Sequence, residues 1–128
     1  LIDDVGFPPM VRLLTAFDIG CLSSLTEGSA NALGEMMASG IPCVSTDAGD
    51  ASHVIGQTGR VVPTGDAARF ADPLSELMTL GPVTRVEFGT AARRRIAAHF
   101  DLVSESNAYV DVWQNVLAKR TVPAAEKG

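Results

Sequence analysis

The chain has 128 residues, of which 46% are hydrophobic and 20% charged, a composition typical of one globular domain rather than a disordered chain. Its formal net charge of −5 argues against a nucleic-acid partner, because such partners require a basic face. No apolar run approaches the roughly 20 residues that span a membrane, and no signal peptide is visible. Cys21 and Cys43 form no Cys-x-x-Cys pair, and both fall in predicted buried strands. We therefore expect two buried thiols in a reducing compartment, and neither a disulfide nor a metal site.

The predicted elements begin with a short helix and a strand. Two prolines at positions 8 and 9 suit the first turn of a helix, where proline costs little. The residues expected on the inward face of this helix are Val11, Leu14 and Phe17. The apolar run over residues 19–22 then predicts a parallel strand that is buried on both faces.

A loop and a central helix follow, in the segment Glu27-Gly-Ser-Ala-Asn-Ala-Leu-Gly-Glu35. We expect Ser29 to be the N-cap, since its hydroxyl can accept a hydrogen bond from an amide of the first turn. Gly40 is the expected stop, because glycine adopts the left-handed conformation beyond a last turn. The residues expected to face inward are Leu33, Met36 and Met37.

The same segment has the chemistry of a binding site. Glu27 lies ahead of the predicted helix start, whose amides can bind phosphate, and Glu35 lies about two turns along. A carboxylate can accept two bonds from vicinal hydroxyls. The pattern therefore suits a ligand with a diphosphate in the middle and hydroxyls at both ends. The alternative is a solvated Glu27 in a loop and a Glu35 on an exposed helix face.

Two further strands are predicted, over residues 43–45 and 60–62, separated by the loop 46–50 and a helical turn over 51–55. Alternation of strands and helices with short connections predicts right-handed crossovers and a parallel sheet. The expected fold class is therefore α/β, a partial Rossmann-like parallel sheet of about three strands with flanking helices and a helical C-terminus. We expect residues 1–119 to form this domain and residues 120–128 to be a flexible tail.

Three helical segments are predicted at the end of the chain. Asp66 is the expected N-cap of the first, and Pro73 should kink or break it. A capping box, Thr84-Arg-Val-Glu87, should begin the second, and Asp101 or Ser104 should cap the third. The residues expected to face inward are, helix by helix, Phe70, Leu74, Leu77 and Met78; Phe88, Ala92, Ile96 and Phe100; Tyr109, Trp113 and Val116.

Several sequence blocks follow one another in a fixed order. They are Ser-Ser-Leu-Thr-Glu-Gly at 23–28, Ala-Ser-Gly-Ile-Pro-Cys-Val at 38–44, Thr-Asp-Ala-Gly-Asp at 46–50 and Gly-Arg-Val-Val-Pro-Thr-Gly-Asp at 59–66. With the two glutamates, this series resembles the donor-binding domain of the retaining GT-B glycosyltransferases of family four, whose hallmark is a Glu-x7-Glu motif. The likeness runs from about residue 4 to about residue 113. The chain looks like the second half of that donor domain, without the acceptor-binding domain.

The resemblance implies a role for each site residue. Glu27 would contact hydroxyls of the transferred sugar and support the reacting centre, as the catalytic residue, and Glu35 would hold the ribose hydroxyls of the nucleotide. The main-chain amides expected to face the sugar and the distal phosphate are those of Gly28, Ser29, Ala30 and Asn31. Ser29 and Ala30 depart from the family pattern of an aromatic residue followed by Pro or Gly. We expect that departure to alter the fit of the donor rather than the mechanism.

The implied function is transfer of a sugar from a nucleotide-diphosphate sugar to an acceptor, with retention and with neither a cofactor nor a metal. The acceptor, a carbohydrate, lipid or small molecule, would be bound by an N-terminal domain, so the isolated chain is expected to be inactive. The expected setting is polysaccharide biosynthesis in the cytoplasm, or at the inner face of the membrane. The alternatives are a fragment of a GT-B sugar-nucleotide epimerase and a non-catalytic module for nucleotide-sugar binding or for interaction with a partner. Self-association through the uncovered edge of the strand at 19–22 is also expected.

Other candidate sites are weaker. Asp47 and Asp50 suggest a metal, but no Asp-x-Asp is present. His53 and His99 have no Ser or Cys partner in a recognisable nucleophile motif. The arginines at 93–95 are interpreted as a solvated helix face whose aliphatic stems cover the core.

Overall fold

The computed structural model describes the backbone of residues 7–120 and the side chains of residues 10–119. Within this range the helices are α1 (Phe7–Leu14), α2 (Asn31–Ala38), α3 (Ala51–Ile55), α4 (Ala67–Thr79), α5 (Pro82–His99) and α6 (Leu102–Arg120). The strands are β1 (Gly20–Leu22), β2 (Cys43–Thr46) and β3 (Arg60–Val62). None of the described helices has the length and apolar content that crossing a membrane requires.

The three strands form one parallel sheet in the order β1-β2-β3. Gly20 is paired with Cys43, and Val44 with Arg60. The predicted fold class, a three-stranded parallel α/β sheet with flanking helices, is confirmed. Because all strands run in one direction, the loops that follow them emerge at the same edge of the sheet.

The core lies around the central strand. All four residues of β2 are buried, and α2, α3 and α4 pack against the sheet. The largest side chains that these helices bury completely are Leu33, Met37, Ile55 and Leu77. A continuously buried strand with apolar helix faces against it is the expected arrangement for a parallel sheet.

The first strand differs from its prediction. Gly20 is buried, but Cys21 is exposed and Leu22 half-buried, so the expectation of a strand buried on both faces is wrong. A Cβ atom at Gly20 would lie 2.7 Å from Met36 Sδ, which shows that this face of β1 is covered by α2. Successive residues of a strand point to opposite faces, so Cys21 points away from α2. Cys43 is buried and free as predicted, and burial, followed by the nearby Cys21, raises the pKa of its thiol to about 12.

The helices that flank the sheet also correct some expectations. α4 continues through Pro73 without a break, and its Leu77 is fully buried, whereas Met78 is 65% exposed. α5 begins at Pro82 rather than after Thr84, consistent with the preference of proline for a first helical turn. Of the predicted inward face of the first helix only Leu14 is buried; Val11 is exposed, and so is Phe17, which lies beyond the last residue of α1.

α5 is fixed in place by one very close backbone approach and one arginine. A Cβ atom at Gly89 would lie 1.9 Å from the carbonyl oxygen of Gly40, so only glycine lets α5 rest against the turn that ends α2. Arg95 donates from Nη2 to the carbonyl oxygen of His53 at 2.6 Å and from Nε to that of Val54 at 2.8 Å. Arg95 therefore binds carbonyl groups of α3, and the interpretation of residues 93–95 as a solvated face holds only for the exposed first two arginines.

The chain divides into two compact units, Leu1–Ala98 and His99–Gly128. In the second unit, Asp101 Oδ1 accepts hydrogen bonds from the amides of Val103 at 3.0 Å and Ser104 at 3.1 Å, so Asp101 rather than Ser104 caps α6. Tyr109 and Trp113 are 67% and 66% exposed, and Val116 is exposed too, so the predicted inward face of α6 is wrong. No other described helix or strand lies within that unit to cover it. The predicted domain of residues 1–119 stays a prediction, and the predicted tail falls almost wholly outside the described residues.

Candidate functional site

Three loops meet at the carboxyl edge of the sheet: the 23–30 loop after β1, the 47–50 loop after β2 and the 63–66 loop after β3. In open parallel sheets, ligands bind at this edge because helix N-termini and loop side chains converge there. The predicted site residues lie in the first of these loops and at the start of α2, which follows it.

Short hydrogen bonds fix the start of the 23–30 loop. The hydroxyl of Thr46, at the end of β2, donates to the carbonyl oxygen of Ser24 at 2.6 Å. Ser24 in turn donates from its own hydroxyl to Glu27 Oε1 at 2.5 Å. The half-buried carboxylate of Glu27 is therefore oriented by a neighbour that is itself anchored to the central strand.

The 47–50 loop rests directly against Glu27. Gly49 has a φ of +58°, in the left-handed region, and a Cβ atom there would lie 2.6 Å from the carbonyl oxygen of Glu27. Glycine thus meets two requirements at once, the left-handed backbone and the close approach.

The N-terminus of α2 is capped from this same neighbouring loop. Ala30, in the N-cap position, has no side-chain cap of its own, and its amide donates to Asp50 Oδ1 at 2.7 Å. The Ser29 hydroxyl lies 3.2 Å from Asp50 Oδ2 and 3.2 Å from Asn31 Oδ1, as a donor to these acceptors. The prediction that Ser29 caps α2 is therefore wrong, because the N-cap position is Ala30 and the Ser29 hydroxyl donates to side-chain oxygens instead of accepting from a first-turn amide.

The structure brings most of the predicted site residues together around the start of α2. Glu27 lies just ahead of it, and Gly28, Ser29 and Asn31 are exposed there, whereas Ala30 is buried. Glu35 is exposed on α2 just over one turn from its first residue, closer to the start than the predicted two turns. Glu27 and Glu35 are thus placed on the two sides of one helix N-terminus.

Asp50 is the residue of the candidate site whose contacts the sequence analysis does not predict. The sequence suggests Asp50 as part of the 46–50 block and as a weak metal candidate with Asp47. No group of three or more His, Cys, Asp or Glu side chains that could hold a metal occurs among the described residues. Asp50 is 20 residues from Ala30 along the chain, so no local capping pattern connects the two.

A cavity of about 290 Å³ opens at the same edge of the sheet. Its lining comes from the loops after β1 and β3, the last residue of β2 and α4, and includes Leu25, Thr46, Asp66 and Phe70. Neither Glu27 nor Glu35 lines it. The cavity is therefore adjacent to, and separate from, the two glutamates.

Comparison with known proteins extends these observations. MMP alpha-(1->4)-mannosyltransferase from Mycolicibacterium hassiacum is 30% identical over 113 residues, which cover 86% of this chain and 27% of that protein. Sucrose-phosphate synthase from Thermosynechococcus elongatus has a TM-score of 0.73 at 21% identity, covering 84% of this chain and 27% of that chain. A glycosyltransferase from Rickettsia africae ESF-5 has a TM-score of 0.77 at 20% identity, covering 88% of this chain and 31% of that chain.

The two solved structures, at these identities, show the fold, and the chain spans less than a third of the length of each of the three proteins. The family assignment comes from the sequence itself. Residues 2–79, which contain all three strands and α2, match the family model described as glycosyl transferases group 1. Since this match covers more than half of the chain, the protein belongs to the group 1 glycosyl transferase family.

Proposed function

We propose that this chain binds the nucleotide-diphosphate sugar of a retaining GT-B glycosyltransferase, and that Glu27 and Glu35 form the Glu-x7-Glu motif of family four. The observation that carries the proposal is their placement on either side of the N-terminus of α2, at the carboxyl edge of a parallel sheet. Membership of the group 1 family supports glycosyl transfer.

The helix start supplies the phosphate site in this proposal. The amides of Gly28, Ser29 and Asn31 are in an exposed segment at the positive end of the α2 dipole. Departure of the nucleotide leaves negative charge on its distal phosphate, and fixed amide donors stabilise that charge without having to reorganise.

The two glutamates bind the two ends of the donor. Glu27, held by Ser24 at 2.5 Å, accepts hydrogen bonds from hydroxyls of the transferred sugar and acts as the catalytic residue. Glu35, exposed along α2, accepts the vicinal hydroxyls of the ribose. Retention proceeds by attack on the face from which the leaving group departs, so no second carboxylate serves as the nucleophile.

The donor is a sugar nucleotide whose phosphates are bound without a metal ion or cofactor. The name of the mannosyltransferase relative supports a hexosyl donor. We assign acceptor binding to a region outside these 128 residues, because the chain spans 27% of that relative. The isolated chain is accordingly expected to bind donor without transferring sugar.

Donor-dependent kinetics of Glu35→Gln and Glu27→Gln, in the protein as its gene encodes it, test the proposal. A hydrogen bond to a charged group is worth about 1.5–3 kcal/mol, so Glu35→Gln should raise the donor KM by roughly ten- to a hundredfold. Glu27→Gln should lower kcat more than it raises KM, because contacts to the sugar strengthen as charge develops in the transition state. Glu87→Gln, which neutralises an exposed carboxylate on α5, is the matched control and should leave both constants unchanged.

A 2′-deoxyribose donor separates ribose binding from a general charge effect. If Glu35 bonds the ribose, the deoxy donor should lose much less from Glu35→Gln than the ribose donor does. Equal losses for both donors would place Glu35 away from the ribose and return it to a solvated helix face.

A further inference from the structure

The N-terminus of α2 is attached to the 47–50 loop by three separate contacts. Gly49 packs against the backbone of Glu27, Asp50 Oδ1 accepts from the amide of Ala30 at 2.7 Å, and Asp50 Oδ2 lies 3.2 Å from the Ser29 hydroxyl. These contacts reach both ends of residues 27–30, the segment assigned above to the sugar and the distal phosphate.

This segment has little structure of its own to hold it. It lies between the end of β1 and the first residue of α2, and Gly28 has nothing within 4 Å of the position of a Cβ atom. Among the described residues, the backbone hydrogen bonds of loops and turns give the amides of 27–30 no backbone acceptor. Loop segments with few contacts open easily, whereas donors that stabilise a transition state must already point at the developing charge.

We propose that Asp50, with Gly49, is a positioning residue that fixes the 27–30 segment for the sugar-transfer step. The hydrogen bond from the Ala30 amide to Asp50 remains in place while the donor is bound, so the Ala30 amide does not contact the phosphate. The donor is left with the amides of the exposed residues Gly28, Ser29 and Asn31. This inference rests on the proposed function and removes one of the four amides expected from the sequence.

The negative charge of Asp50 suggests a competing hypothesis, in which this carboxylate only occupies the phosphate position until the donor binds. A carboxylate on a helix N-terminal amide occupies a position that a phosphate would also favour. If Asp50 only fills that position until the donor arrives, its removal should favour donor binding. If Asp50 positions the segment, its removal should impair transfer.

The test uses Asp50→Ala, Asp50→Asn and a control, Asp47→Ala, in the gene-encoded protein. The carboxamide of Asp50→Asn keeps an oxygen acceptor for the Ala30 amide but not the negative charge. Asp47 is in the same loop, is exposed, and is three residues from the contact. Two readouts are taken: hydrogen exchange of the Ala30 amide without ligand, and donor-dependent kcat and KM for a nucleotide-diphosphate hexose.

In Asp50→Ala the hydrogen of the Ala30 amide should exchange with solvent at least about tenfold faster than in the wild type, since its hydrogen bond to a charged acceptor is lost. Its kcat should fall by about tenfold or more, with a smaller change in KM, because misplaced donors and a misplaced Glu27 weaken the transition state most. Asp50→Asn should recover most of both losses, and Asp47→Ala should match the wild type. The recovery by Asn distinguishes the loss of an acceptor from the loss of a charge.

Unchanged exchange at Ala30 in Asp50→Ala would overturn the inference, and so would faster exchange without any loss of kcat. A lower donor KM in Asp50→Ala and Asp50→Asn would also overturn it, in favour of a carboxylate that the phosphate displaces. In each of these cases the wild type still turns over nucleotide sugars. A wild type without such turnover would overturn the proposed function and this inference together.

Discussion

The helices α2 and α4 both begin at the carboxyl edge of the sheet, but they are capped in different ways. Asp66 caps α4 within its own sequence, accepting from the Arg69 amide at 2.9 Å. Asp50 caps α2 from the next loop, across 20 residues. A local cap fixes only its own helix, whereas a cap from elsewhere also fixes the distance between two loops. The second arrangement is the one found beside the two glutamates.

The glycines near these helix starts allow the sharpest test of the comparison. Gly49 and Gly65 both have positive φ, at +58° and +76°. A Cβ atom at Gly49 would lie 2.6 Å from the Glu27 carbonyl oxygen, whereas at Gly65 the nearest atom, Leu25 Cδ2, would be 4.0 Å away. An alanine would therefore be strained at both positions, but its Cβ atom would overlap a neighbouring atom only at Gly49.

We expect Gly49→Ala to have the largest effect. It combines about 1–2 kcal/mol of left-handed strain with about 1–3 kcal/mol of overpacking, so its free energy of unfolding should fall by roughly 2–5 kcal/mol. Gly65→Ala should lose about 1–2 kcal/mol from strain alone. Urea unfolding of both variants measures the difference, and equal losses would show that the 47–50 loop does not press on Glu27.

Removal of the local cap should have a moderate effect. Asp66→Ala should lower the free energy of unfolding by about 1 kcal/mol, the usual value of an N-cap. Asp66→Asn should lose much less, because Asn caps as well as Asp does, which makes it the control for the ion pair with Arg69. Thermal unfolding of the pair checks this. A loss well above 2 kcal/mol in Asp66→Ala would mean that this residue, like Asp50, stabilises more than its own helix.

The smallest effect concerns the other local cap, Asp101. Hydrogen bonds from the hydroxyl and then the amide of Ser104 hold the pKa of Asp101 below its usual 3.8. Because the folded-state pKa is depressed, the stabilisation is present above the unfolded-state pKa and is lost as pH falls through the folded-state value. NMR titration of the Asp101 carboxyl should show a midpoint below 3.8, and Ser104→Ala should move it upward. A midpoint at the ordinary value would remove Asp101 as the cap of α6.

Local signals in the sequence were sufficient for part of the fold. The bounds of β3 and α3 and the cap Asp66 were predicted correctly, and Asp101 was one of the two caps expected for α6, since each depends on neighbours within a few residues. The predicted Ser29 cap is wrong because α2 begins one residue later than expected and the Ser29 hydroxyl donates to Asp50, a residue distant in sequence. The predicted burial of Cys21 is wrong because an apolar run does not show which face of a strand a helix will cover.

The candidate site was predictable as a set of residues but not as a structure. The two glutamates and the segment between them were identified from residue types and from the resemblance to known glycosyltransferases. The contacts of that segment with Gly49 and Asp50 were not predicted, since they form only when β1 and β2 are paired. For α6 the apolar pattern predicted the helix correctly. The pattern does not show whether another element covers the apolar face, and its residues are exposed.

The order of the strands has a consequence for how this sheet can form. The spatial order β1-β2-β3 is the order of synthesis, and each strand pairs with the next one in the chain. Among the three described strands, none has to be inserted between two that are already paired, so contact order within this part of the sheet stays low for parallel pairing. Each strand–helix–strand unit can therefore close as it leaves the ribosome. The contact between Asp50 and Ala30 would form in the first of these closures, together with the pairing of β1 and β2.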